Sequence, residues 1–203
     1  MRARVRIRIV AAAAVLTMVA APMALAQSEA SATPRKGSVP VAELIATVAK
    51  RTGKTFIVDP RVQGEAVLIG SDPAKIDYAE LLSVLQVHGF AAVERGGVVR
   101  VIPDANVRQS PVAIVTGKES HPDAEFVTKT FTLKNVPAAL LVPILRPLIP
   151  QMGHLVAFPC TNMLVLVDTF GNVQRIEKLV QTLDVGGPYT LPKCETDGIK
   201  PSS

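Results

Sequence analysis

The residues that could do chemistry are few, and their spacing suits other jobs. His88, His121 and His154 are the three histidines, and none stands in an H-E-x-x-H or comparable ligand spacing. His88 falls at a predicted helix end, where a cap or packing role is simplest. His121 precedes Pro122 in a polar stretch, and His154 starts a predicted strand. Asp77 and Glu80, three residues apart ahead of an apolar helical pattern, read as a capping box rather than as an acid and a base. Gly96-Gly97 and Gly186-Gly187 lack the strand-to-helix context of a phosphate loop. Ser83 lies within a helical pattern and lacks the G-x-S-x-G elbow. The two cysteines, Cys160 and Cys194, are too far apart for C-x-x-C redox chemistry and too few for a metal cage. They admit two readings: one disulfide tying the tail to the preceding domain, or a buried thiol at Cys160 and a free one at Cys194. No catalytic, cofactor or metal site is expected, and no small-molecule substrate.

The elements around these residues follow from periodicity. Val41, Leu44, Ile45 and Val48 fall on one helical face, with Pro40 in the first turn and Gly53 at the end. Thr55 to Val58, stopped by Asp59-Pro60, and Glu65 to Ile69 read as short strands. Behind Asp77 a second helix buries Tyr78, Leu81, Leu82 and Leu85 and ends at Gly89. Phe90 to Val93 and Val98 to Ile102 flank Glu94-Arg95-Gly96-Gly97, a β-hairpin signal. A flexible lead-in at 27–38 thus precedes a small α+β domain over 39–103.

Residues 104–123, with Pro111, Gly117 and Pro122, read mainly as a linker in which Val112 to Val115 offers a short strand. Phe126 to Leu133 predicts a strand. Leu140, Leu141, Ile144, Leu145 and Leu148 mark a buried helical face that Pro143 and Pro147 must kink or interrupt. Leu155 to Phe158 and Met163 to Val167 flank Pro159-Cys160-Thr161-Asn162, a second hairpin. Asp168 or Thr169 then caps a helix carrying Val173, Ile176, Leu179, Val180 and Leu183. The order β-α-β-β-α predicts a second α+β domain over 124–184 and a disordered tail at 185–203. Sheets this small leave unpaired edges, and an extended partner segment can add to one. Glu65 to Ile69 and Val98 to Ile102 are the candidate docking strands, with Val67 and Val99 as the positions to test; the alternative is that either strand is central.

The formal charge of +5 on 203 residues is misleading. Arg2, Arg4, Arg6 and Arg8 precede an apolar run from Ile9 to Ala21, and Ala24-Leu25-Ala26 follows, the pattern of a secretory signal cut before Gln27. Without residues 1–26, 18 basic residues face 17 acidic ones, too balanced for an electrostatic nucleic-acid footprint. The expected destination is the periplasm.

Several long segments resemble one family in order. Lys54-Thr55-Phe56-Ile57-Val58-Asp59-Pro60-Arg61-Val62-Gln63-Gly64, Leu82-Ser83-Val84-Leu85-Gln86-Val87-His88-Gly89-Phe90-Ala91 and Val101-Ile102-Pro103-Asp104-Ala105-Asn106 resemble the first periplasmic domain, N0, of type II secretion secretins. Leu133-Lys134-Asn135-Val136-Pro137-Ala138-Ala139, Leu141 to Gln151 with both prolines, and Asn162-Met163-Leu164-Val165-Leu166-Val167-Asp168 resemble the next domain, N1.

The resemblance implies an N0 fold, shared with the signalling domains of TonB-dependent receptors, followed by a KH-like βαββα N1 domain. It implies a protein-interaction module of a type II secretion apparatus whose first domain contacts the inner-membrane component and whose second helps stack subunits. Full-length secretin is a further partner, and family members sit in the outer membrane. Secretins go on to further N1-type domains and a pore module. Here one copy is followed by Val185 onward, so a short secretin-like protein without the pore, monomeric or weakly dimeric, is expected. Residues 32–39 offer little of the family's first strand, and Cys160 stands where the family more often has proline. The G-x-x-G loop of nucleic-acid-binding KH domains is missing between Asn135 and Gln151, so no nucleic acid is expected. A periplasmic signalling or adaptor domain and a nonfunctional truncated secretin are the alternatives.

Overall fold

The structure, a computed structural model, describes residues 37–117 and 119–192. Ala24, Ala26, Gln27 and Cys194, named for signal cleavage and for the disulfide, lie outside the described residues.

The first domain runs β1 (Ser38–Pro40), α1 (Val41–Thr52), β2 (Thr55–Val58), β3 (Glu65–Val67), α2 (Tyr78–Val87), β4 (Phe90–Arg95) and β5 (Val98–Pro103). Helix α1 has no side-chain cap, but the Val41 amide donates to the Gly64 carbonyl at 3.1 Å. It buries Val41, Leu44, Ile45 and Val48, the four residues its periodicity selects. The expected capping box opens α2. The Glu80 amide donates to Asp77 Oδ1 at 2.8 Å, and the Asp77 amide donates to Glu80 Oε2 at 3.0 Å. Leu81, Leu82 and Leu85 are buried against α1 and the sheet.

Two small sheets organise this domain. In the three-stranded one, β5 lies between β2, to which it is parallel, and β4, to which it is antiparallel. The β4–β5 turn contracts to Gly96-Gly97, both at positive φ, as a two-residue hairpin with native strand twist requires. The expected docking strand Val98 to Ile102 is therefore a correction: it is central, paired on both sides, with Val99 fully buried. The second sheet is a ribbon, with β1 antiparallel to β3 and Ser38 opposite Val67. A first strand, for which the sequence offers little, is thus present as three residues despite Gly37 and Pro40.

Residues 104–123 hold more structure than a linker. A 3-10 segment covers Asp104–Gln109, and β6 (Ala113–Val115) pairs in parallel with β7 (Phe126–Thr132). Val107 and Val112 lie on the face of the first sheet opposite its helices, together with Ala91, Val93 and Ile102. Phe126 and Met152 of the second domain enter the same cluster.

The second domain continues with α3 (Ala138–Leu145), β8 (His154–Phe158), β9 (Met163–Thr169) and α4 (Phe170–Leu183), in sheet order β6-β7-β9-β8. Pro143 and Pro147 interrupt the helix as expected: α3 stops at Leu145, and Arg146–Leu148 tightens into a 3-10 turn. The buried stripe is Ala138, Leu141 and Leu145. Leu140 and Ile144, expected in the core, are 59% and 55% exposed, because the sheet lies under the other stripe. The cap of α4 is also a correction. Neither Asp168 nor Thr169 caps it in the ordinary way: the Phe170 and Gly171 amides donate to the carbonyls of Glu125 and Asp123. Gly153 allows a close approach, since a Cβ there would lie 2.7 Å from Ile149 Cγ2. Past α4 the chain stays attached as far as Tyr189, whose amide donates to the Lys134 carbonyl at 2.8 Å, where a disordered tail from 185 was expected.

Candidate partner-docking edge

Among the described residues strand β3 pairs with β1 alone, and it shares a groove with the C-terminal half of α2. Alternation turns Ala66 into the core and Glu65 and Val67 outward. The helix presents Val84, Val87 and His88 across a groove of about 410 Å³, with Ala66, Val67 and Leu68 as its other wall. The apolar groups at its rim are conspicuous: Val87 is 84% exposed, Val67 50% and, just beyond β3, Ile69 93%. His88 closes one end as the C-cap of α2, its amide donating to the Val84 and Leu85 carbonyls, with its ring beside Gly64. Ser38 Oγ donates to Glu65 Oε2 at 2.5 Å, holding the ribbon together on its outer face.

One edge of the three-stranded sheet, β2, is guarded by charge. Strand β2 is flanked by the Lys54–Glu94 ion pair and by Arg61, which grips Asp59 through Nε and Nη2, both at 2.8 Å. The Arg61 side-chain hydrogen bond holds the Asp59 carboxyl down at about 2. Charges at a sheet edge discourage strand addition. Among the residues lining the groove, Glu65 is the one Asp, Glu, Lys or Arg.

The remaining sequence candidates fall elsewhere. Ser83 Oγ donates to the Ala79 carbonyl within α2. His121 Nδ1 lies 3.2 Å from Glu125 Oε2 and its ring packs on Phe170, while His154 is exposed at the start of β8. Cys160 sits half-buried in the β8–β9 turn, and no described cysteine is free. Among the described residues no group of three or more His, Cys, Asp or Glu could hold a metal ion. No helix there is long and apolar enough to cross a membrane.

Two residues missed in the sequence organise the second domain. Asn162, at φ 51° and 2% exposed, accepts the Ala138 amide on Oδ1 at 2.7 Å and so caps α3 from a distant turn. Its Nδ2 donates to the Leu133 and Val136 carbonyls, both at 3.0 Å. A turn asparagine tolerant of positive φ was the available signal. Asp184 accepts the amides of Lys134, Asn135 and Val136. Burial pushes its carboxyl up, but those three amides and the Lys134 charge outweigh it and hold it below the usual range. Nothing near Asp184 in sequence signals this.

Residues 38–101 match the family "GspD-like, N0 domain", and residues 128–188 match "Bacterial type II/III secretion system short domain". The chain belongs to the type II secretion secretins. It is 34% identical over 80% of its length to the secretin XcpQ of Pseudomonas aeruginosa, of which it covers 24%. To the secretin GspD of Vibrio cholerae it is 32% identical over 76% of its length, again covering 24% of that protein. Among solved structures, a chain of the Klebsiella pneumoniae type II secretion outer membrane complex of PulD, PulS and the PulC HR domain aligns with TM-score 0.62. That alignment has 29% identity over 72% of this chain and 26% of the other. The secretin domains described here thus span about a quarter of the length of these curated relatives.

Proposed function

We propose that this secretin chain is a periplasmic docking module of a type II secretion apparatus. Its first domain receives the periplasmic domain of the inner-membrane component by strand addition along the free edge of β3. The observation that carries the reading is that edge beside an apolar groove, with Val67 and Val87 exposed to solvent. An added strand satisfies the unpaired amides and carbonyls, while alternate side chains enter the groove and choose the partner. The Klebsiella complex, which contains a PulC HR domain beside PulD, supports the choice of partner. Export follows from the signal-like segment, with cleavage between Ala26 and Gln27 delivering the two domains to the periplasm. The reading requires no catalysis.

Isothermal titration of the purified protein with the periplasmic domain of the cognate inner-membrane component tests it. Saturable binding that Val87→Glu weakens at least tenfold is expected. Absence of heat at a hundred micromolar of both partners would contradict the reading.

A further inference from the structure

The two faces of the three-stranded sheet differ in chemistry. Val99 and Val101 of β5 turn into the core shared with α1 and α2, so Arg100 between them turns the other way. Register puts Val93 of β4 and Ile57 of β2 on either side of Arg100. Arg95, two residues on from Val93, shares that face and is the diagonal cross-strand neighbour of Arg100. Both arginines are exposed, and they line a pocket of about 100 Å³ with Val93, Ile102, Ser110 and Pro111. Neither has a hydrogen-bond or ion-pair partner among the described residues. The same domain treats its other cations differently. Lys54, Arg61 and Lys75 meet the carboxylates of Glu94, Asp59 and Asp72, and Arg51 donates to the Lys75 and Ile76 carbonyls. Like charges side by side repel, and no acid lines the pocket to relieve them. The Ser110 hydroxyl is engaged, donating to the Asn106 carbonyl at 3.2 Å.

The chemistry of the pocket selects its occupant. Its volume is well under the roughly 300–1,000 Å³ of small-molecule sites, so it holds a side-chain head group rather than a cofactor. Guanidinium forks fit carboxylates bidentately. The apolar half, Val93, Ile102 and Pro111 in the pocket and Ile57 beside it at 56% exposure, calls for apolar groups next to the charge. A free phosphate brings none. We infer that this face is a second docking surface, which takes an acidic segment of a partner polypeptide. One carboxylate side chain enters between Arg95 and Arg100, and an apolar neighbour in the segment lies on Ile57. None of these residues lines the groove between β3 and α2, so the surface is separate from that edge and stands whatever β3 binds.

Selection of phage-displayed random dodecapeptides on the immobilised protein, in parallel with the double variant Arg95→Gln, Arg100→Gln, tests it. Both arginines are exposed and without partners, so the variant should keep the parent's Tm. Peptides with Asp or Glu beside Leu, Ile, Val or Phe should be recovered on the parent and lost on the variant. A selected peptide, made synthetically, should shift the Nε–Hε resonances of Arg95 and Arg100 saturably. Replacing its acids by Asn and Gln should weaken it at least tenfold, a control that needs no protein variant. Equal recovery of acidic peptides on both proteins, or no acidic enrichment at all, would overturn the inference. So would shifts of the same resonances by inorganic phosphate at lower concentration than by the peptide. Cosedimentation with phosphatidylglycerol vesicles that the variant loses would give the face to a membrane instead, and would equally overturn it.

Discussion

Replacing Asn162 by alanine leaves the Ala138 amide and two carbonyls without partners in a residue site that is 2% exposed. Unsatisfied buried groups cost about 1–3 kcal/mol each, and relaxation recovers part of that. A net loss of about 2–4 kcal/mol in urea unfolding is expected, with the first domain unaffected. Asn162→Gly keeps the positive φ of 51° and should lose nearly as much, because the bonds matter more than the backbone conformation. Asp184 makes a pH prediction. Its folded carboxyl titrates below its unfolded value, so its contribution is fully present above about pH 4 and is lost as pH falls through the folded value. Asp184→Asn should lower Tm at pH 7 and flatten the fall in Tm below about pH 4, measured by circular dichroism. Asp168 has the opposite sign: burial raises its carboxyl against the bonds from Asn172 and Thr169, so it cannot add to that acid limb.

At the scale of elements, edge and centre separate β3 from β5. A proline at Val99 removes a donor from a strand paired on both sides, in a fully buried position, and should abolish folding of the first domain. Val67→Pro, on the two-stranded ribbon, should leave a folded protein with weaker partner binding; loss of the near-ultraviolet dichroism there would remove β3 as a docking strand. The helices, the capping box and both hairpins were legible because each rests on neighbours within about ten residues. Which strand is an edge was not, since β2 pairs with β5 more than forty residues away. The run Val98-Val99-Arg100-Val101-Ile102 did carry a hint, being nearly continuous in apolar residues as strands covered on both faces are. Leu140 and Ile144 share the apolar period of α3 with the buried stripe, and only the sheet beneath decides between the stripes. The groove between β3 and α2 was half legible: Val67 was named, whereas Val84 and Val87 looked like ordinary helix residues.

For the whole molecule, Phe126 joins the two domains. It is 4% exposed in a cluster with Ala91 and Val93 of the first domain and Val107 of the 3-10 segment that follows it. Phe126→Ala should cost about 3–5 kcal/mol and widen the distribution of interdomain distances in small-angle scattering. Large exposed apolar side chains sit on several elements, among them Val67 on β3, Val87 on α2, Leu140 and Ile144 on α3, and Val156 and Phe158 on β8. Stable assemblies need roughly 800 Å² per partner in one place. Light scattering at micromolar concentration should therefore give a monomer or weak dimer, and a closed ring would contradict that. The central claim is that a partner strand adds to β3. The measurement that reaches it most directly is an amide chemical-shift titration of the labelled protein with the periplasmic domain of the inner-membrane component. Shifts and slowed hydrogen exchange concentrated in Glu65–Ile69 and the Val84–His88 end of α2, with the second domain unchanged, are predicted. Shifts confined to the second domain, or exchange at β3 that stays as fast in the complex as in the free protein, would contradict strand addition there.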